Sequence, residues 1–216
     1  MILYHGSKSG IKGSIQPISR AECDFGRGFY MGDKEDQPKS LVSEFKDNMF
    51  YELDCDFSGL KVLEFTDDYE SQLDWSLFIA YNRKQFDTEK YTKLSKKYEV
   101  YNNDYDVIAG LIADDKMTEA LQRFFDGTFS DKALIAAMSR VKLGRQFVAK
   151  TEIACSNEHI KIVSSRKLSD NEMLTAKAFN EQRRRQNTTV LNEITTMFRR
   201  STDVKFFDEI LEEYGL

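Results

Sequence analysis

Two histidines, His5 and His159, are the whole imidazole inventory of this 216-residue chain. Chemistry that needs a side chain titrating near neutrality therefore has two places to be. His159 stands beside Asn157 and Glu158 at the start of an apolar stretch and reads as solvated. His5 ends the short apolar run Ile2-Leu3-Tyr4 and is followed by Gly6-Ser7, where the missing Cβ lets main chain approach a ligand closely. A second stretch, Asp24-Phe25-Gly26-Arg27-Gly28-Phe29-Tyr30, sets two glycines ahead of an aromatic pair. Strand alternation sends Phe29 and Tyr30 to opposite faces, one ring to a core and the other to a cleft. The glycines are not in a G-x-G-x-x-G array and no strand lysine follows, so a kinase-type phosphate loop does not fit. Asp54, Asp56, Asp114 and Asp115 offer a rival, an oxygen-ligand site for a magnesium-dependent nuclease. Asp114-Asp115 directly precedes a helical pattern, however, where acidic residues favour the positive end of the dipole. Arg183-Arg184-Arg185 either contacts nucleic acid or a partner protein, or forms a solvated helix face.

The elements that must position these residues follow from periodicity. Ile2 to Tyr4 and Gly28 to Met31 predict two strands separated by a polar loop, the second stopped by Gly32-Asp33. Pro38 suits a first helical turn, and Leu41, Val42, Phe45 and Met49 mark one apolar helix face. Phe50 to Asp54 and Lys61 to Phe65 alternate with period two around Ser58-Gly59, as a strand pair would. Leu73, Leu77, Phe78 and Tyr81 predict a helix, and 84–104 is a Lys-rich stretch of weaker pattern. The run Asp106 to Ala113 is short and apolar and suits a buried strand. Stripes at Met117, Leu121, Phe124, Phe125 and at Leu134, Ile135, Met138, Val141 predict two helices broken at Asp126-Gly127. Gln146 to Thr151 with Ile160 to Val163 predicts a hairpin, and from Ser169 the pattern is helical to the end.

Composition narrows the function classes. Lys and Arg number 31 against 36 Asp and Glu, a net charge of -5 that argues against a generic nucleic-acid or anionic-membrane binder. Sixteen Phe, ten Tyr and one Trp supply a core built largely from aromatic area, which excludes a disordered chain. No apolar run approaches the ~20 residues of a membrane span, and the N-terminus lacks the pattern of a secretory signal. Cys23, Cys55 and Cys155 fit neither a disulfide framework nor metal-ligand spacing, so they read as reduced thiols in the cytoplasm.

Four ordered stretches together carry a resemblance: LYHGS at 3–7, DFGRGFY at 24–30, YDVIAGLIADD at 105–115 and GRQF at 144–147. The chain resembles a bacterial domain-of-unknown-function family that is itself similar to the ADP-ribosyltransferase superfamily. The resemblance implies an α+β fold, with a split antiparallel sheet and flanking helices around an NAD cleft. It covers 1–165 as an NAD-binding domain and leaves 166–216 as a helical C-terminal extension. It places a catalytic set at His5, Tyr30 and Gln146, with no metal and with NAD as co-substrate.

Each role that the resemblance implies has a physical reason. Departure of neutral nicotinamide leaves an oxocarbenium-like centre at the ribose, which needs positioning and electrostatic support. His5 would donate to a ribose hydroxyl, Gly6 main chain would grip the carboxamide and Tyr30 would stack on the pyridinium. Arg20 or Arg27 would pair with the pyrophosphate through a bidentate fork. Gln146 stands where the best-known pattern has Glu; an amide can hydrogen-bond a ribose hydroxyl but cannot act as a general base. Glu152 lies six residues along the strand, about 20 Å away at ~3.3 Å per residue, while Glu22 and Asp24 are unranked alternatives. The expected function is transfer of ADP-ribose to a macromolecular acceptor, with NAD hydrolysis as side activity. A toxin or defence role and a cognate antitoxin partner follow by analogy, with no membrane partner. The alternative is a non-catalytic nucleotide- or partner-binding module on the same fold.

Overall fold

The computed structural model describes residues 1–113, 115–140 and 144–215, with side chains for all of these except 115, 116 and 182–187. Its elements run β1 (Ile2–Ser7), β2 (Phe29–Gly32), α1 (Asp36–Val42), β3 (Met49–Cys55), β4 (Val62–Glu64), α2 (Tyr69–Asn82) and α3 (Thr92–Asp104). They continue as β5 (Val107–Leu111), α4 (Asp115–Phe125), α5 (Asp131–Arg140), β6 (Arg145–Ala149), β7 (Ile160–Arg166), α6 (Asp170–Phe198) and α7 (Phe207–Gly215). One sheet carries the strands in the order β4-β5-β6-β2-β1-β3-β7.

The chain is α+β, but the sheet is mixed rather than antiparallel throughout. β4 pairs β5 in parallel, because α2 and α3 lie between them in sequence and form the crossover that parallel pairing requires. Neither expected hairpin forms. β3 is paired by β1 along one edge and β7 along the other, and β6 is flanked in the same way by β2 and β5. No edge of β3 is left for β4, and none of β6 for β7. The turn at Gly59, with φ of +83°, reverses the chain without joining the strands on either side. α1 is also shorter than its apolar face suggests: Met49 pairs Ser7 as a strand residue. Asn48 braces the intervening turn, donating to the Phe45 carbonyl and accepting from Leu168 N.

Alternation splits the apolar residues between two faces. Tyr30, Val148 and Ile108 lie with Phe25, Phe65, Trp75, Phe78 and Tyr98 under the helices. Leu3, Phe29, Met31, Tyr51, Leu53 and Cys55 lie on the other face, covered by Ile15 and by Ala154 and Cys155. The C-terminal helices are part of this architecture. A capping box starts α6, Ser169 and Glu172 satisfying each other's main chain. Leu191, Ile194, Phe207, Ile210 and Leu211 then enter the same buried cluster as α2 and α4. A boundary at 165 would fall inside β7. Among the described residues no helix is long and apolar enough to cross a membrane.

Candidate functional site

The four stretches that carry the resemblance become neighbours in space. LYHGS forms β1, DFGRGFY enters β2, YDVIAGL forms β5 and GRQF opens β6, so β5-β6-β2-β1 are consecutive strands of the sheet. At the centre the sheet is nearly parted. β1 and β2 meet at one register pair, Tyr4↔Gly32, whereas β1 and β3 share six. Beyond Tyr4 the ladder would continue through His5, Gly6 and Ser7, but there the His5 ring intervenes, Nδ1 donating to the main-chain oxygen of Tyr30 at 2.7 Å. The ring also lies against Phe29, with centroids 4.3 Å apart. Burial pushes the His5 pKa below its usual value, against the opposing pull of the Tyr30 carbonyl. A carbonyl carries no proton, so Nδ1 holds the hydrogen and the neutral ring offers the Nε2 lone pair. His5 is thus set to accept from a hydroxyl, not to donate to one as expected.

The expected set does not share one cleft. His5 lies on the face of Phe29 and Tyr51, whereas Tyr30 and Gln146 lie on the face of Val148. Period-two alternation enforces this, since His5 follows Leu3 by two residues and Gln146 precedes Val148 by two. Nor is the Tyr30 ring free to stack on a ligand. It packs on the main core, its hydroxyl donating to the Gly26 carbonyl at 2.7 Å and accepting from Phe25 N at 3.0 Å. Burial first, then Asp24 and Cys23, raise its pKa well above the ordinary value.

Gln146 is buried, with Nε2 donating to the Leu111 carbonyl at 3.1 Å, and it lies near enough to Asp24 to draw that carboxyl's pKa down. Asp24 in turn receives Arg83 Nε at 3.0 Å and Nη2 at 2.5 Å, and Arg83 reaches Thr118 at 3.2 Å. Burial raises the Asp24 pKa, and Arg83 and Gln146 pull it back. The structure therefore ranks the two loop acids: Asp24 lies near Gln146, whereas Glu22 is exposed and pairs with Lys84 at 3.3 Å.

Gly6 has a packing reason as well as its place on the parted strand. A Cβ there would stand 2.4 Å from the Pro38 carbonyl oxygen and 3.0 Å from Val42, so α1 lies directly over it. Arg20 and Arg27 are exposed and form no ion pair with a described residue; Arg27 lines a pocket described below. Among the described residues no three His, Cys, Asp or Glu side chains gather as metal ligands. Asp114 and the side chain of Asp115 lie outside the described residues, as do the side chains of Arg183 to Arg185. His159 places Nδ1 2.7 Å from the Asp56 carbonyl.

One functional candidate escaped the sequence reading. Lys150 follows β6, is mostly buried, and donates to the Phe25 carbonyl and, at 3.1 Å, to Asn102 Oδ1. Burial pushes its pKa down to about 8. The available signal was a lysine directly after the buried pair Val148-Ala149, read instead as ordinary strand alternation.

Residues 1–160 match a family model described as "Protein of unknown function (DUF3990)". No curated protein and no solved structure matches the chain.

Proposed function

We propose that this chain, which belongs to the DUF3990 family, is an NAD-consuming ADP-ribosyltransferase whose site lies along the parting of β1 and β2. One observation carries the reading: four stretches dispersed over 3–147 become four consecutive strands, joined at the parting by the bond from His5 to Tyr30. A dinucleotide needs main chain and polar side chains presented along a groove. The part of β1 beyond Tyr4 leaves His5 and Gly6 unpaired with β2. The neutral His5 ring, its tautomer fixed, would accept from a ribose hydroxyl through Nε2. Gly6 main chain would hold the carboxamide, and Arg20 or Arg27 the pyrophosphate. In the reaction the bond from ribose C1 to nicotinamide breaks with its electron pair leaving on nicotinamide. An acceptor oxygen or nitrogen then bonds C1 and gives up a proton. That proton passes to solvent, because Gln146 and Asp24 lie on the sheet face opposite His5.

A second reading, a nucleotide-binding module without turnover, is favoured by a different observation. Asp24 is tied to Arg83 and the Tyr30 hydroxyl to the loop, so neither is free for proton transfer as the side chains stand. Free nicotinamide released by the purified full chain from NAD separates the two. Release that is lost in His5→Ala supports transfer. Saturable NAD binding with no release supports the module, and no binding at all overturns both.

A further inference from the structure

A pocket of about 820 Å3 opens between the second glycine-rich stretch, the ends of α2 and α3, and the turn at 86–89. Its walls are of two kinds. Pro17, Tyr81 and Phe86 present apolar and aromatic surface, the two rings 6.3 Å apart, while Arg27, Asn102 and Lys150 present donors. The buried cation of this pocket, Lys150, has no ion-pair partner among the described residues, its hydrogen bonds going to a carbonyl and to an amide oxygen. Asp24 pairs with Arg83 and Glu22 with Lys84, and neither of the carboxylates that line the pocket, Asp87 and Glu89, pairs with Lys150; Asp87 accepts instead from Glu89 N at 2.9 Å and Lys90 N at 3.1 Å. A mostly buried ammonium without an anion is unfavourable, and the fall of its pKa to about 8 is the signature of that cost. A ligand that brings an anion relieves it.

Packing around Gly26 shows how closely the cation is held. A Cβ on Gly26 would lie 2.7 Å from Asn102 Oδ1 and 3.2 Å from Lys150 Nζ, and its φ is +68°. The loop therefore passes directly over the ammonium, which only glycine permits. Asn102 also donates to Asn82 Oδ1 at 2.8 Å, and Asn82 to the Asp24 carbonyl at 3.0 Å, so the amides that orient Lys150 are themselves anchored. The pocket is much larger than a free phosphate ion and carries two aromatic rings in its wall. Glu89 and Asn103 on its rim offer acceptors for sugar hydroxyls.

We propose that this pocket binds a nucleoside monophosphate, the phosphate on Lys150 and Arg27 and the base against Tyr81 and Phe86. The pocket shares Arg27 with the transferase reading but not His5, Gly6 or Gln146, none of which lines it. Binding is therefore measured with no NAD present. Adenosine 5′-monophosphate, adenosine and inorganic phosphate are titrated into the full chain by calorimetry at neutral pH. The nucleotide binds at least tenfold more tightly than either fragment. Lys150→Met weakens it at least tenfold, and Arg27→Gln, at an exposed position that cannot compromise folding, weakens it severalfold. Lys161→Met, on the outer strand β7, leaves it unchanged. Equal affinity for nucleotide and inorganic phosphate overturns the proposal, as does no binding. So does nucleotide binding that survives Arg27→Gln and Lys150→Met.

Discussion

The imidazole of His5 reaches across from β1 to the main-chain oxygen of Tyr30 on β2, 2.7 Å away, at the place where the two strands stop pairing. A side chain thus does the work of a ladder bond. Burial holds the folded His5 pKa below the unfolded value of about 6.5. Below that pH the unfolded chain takes up a proton that the folded chain resists, so the His5 contribution to stability is lost as pH falls. His5→Gln has no such titration. The stability advantage of wild type over His5→Gln, measured by urea unfolding, should shrink between pH 7.5 and pH 5. A constant gap would show that His5 is already solvated.

Phe29 and Tyr30 should separate by the kind of damage their loss causes. Tyr30→Phe keeps the ring in the core but strands the Gly26 carbonyl and Phe25 N–H, so it should cost about 1–3 kcal/mol. Phe29→Ala empties a buried site beneath His5 and should cost about 3–5 kcal/mol. Thermal unfolding of both proteins checks the order; a neutral Tyr30→Phe would mean that water replaces the hydroxyl.

Lys84 is in the left-handed region, φ +55°, just past the end of α2. Gln85 N bonds the Ala80 carbonyl at 2.8 Å and Lys84 N the Tyr81 carbonyl at 3.1 Å, the pattern in which glycine is favoured at this position. The left-handed conformation costs a residue with a Cβ about 1–2 kcal/mol, and glycine pays back part of that in unfolded-state entropy. Lys84→Gly should therefore gain about 1 kcal/mol in chemical denaturation. The exposed pair with Glu22 that it removes is worth little.

The local elements were legible where periodicity was strong and partners were not needed. Leu73, Leu77 and Phe78 announced α2, and Val107 to Leu111 announced a buried strand. Pairing was not legible, because alternation marks a strand without naming its neighbour. Phe50 to Asp54 alternates equally well whether its partner is β4 or, as found, β1 and β7. The site suffered the same limit in another form. His5, Tyr30 and Gln146 were recognisable as motif residues, but which face each occupies depends on register. Tyr4↔Gly32 and Gly32↔Gln146 put Tyr30 and Gln146 on one side and His5 on the other. Lys150 was invisible for a further reason: its partners Phe25 and Asn102 are 125 and 48 residues away.

Gln146→Glu tests the buried surroundings of Asp24, and the nearness of the two side chains fixes the sign of its effect. The native amide donates to the Leu111 carbonyl and lies near the Asp24 carboxylate. An ionised Glu has no hydrogen to give, so the substitution strands a buried acceptor and sets two carboxylates side by side. The expected loss near pH 7 is about 1–3 kcal/mol. Arg83 stabilises one of the two charges but is already engaged by Asp24. Like charges in one site raise a carboxyl pKa above its unfolded value, and that penalty is present above the unfolded pKa and relieved as pH falls. The deficit of Gln146→Glu relative to wild type should therefore narrow between pH 7 and pH 5. A shared proton would also restore a donor between the two side chains. Gln146→Ala, which adds no charge and only removes the amide's pull on Asp24, should show a deficit that narrows less over the same range. Parallel pH profiles for the Glu and Ala proteins would show that Asp24 moves away when the amide is lost.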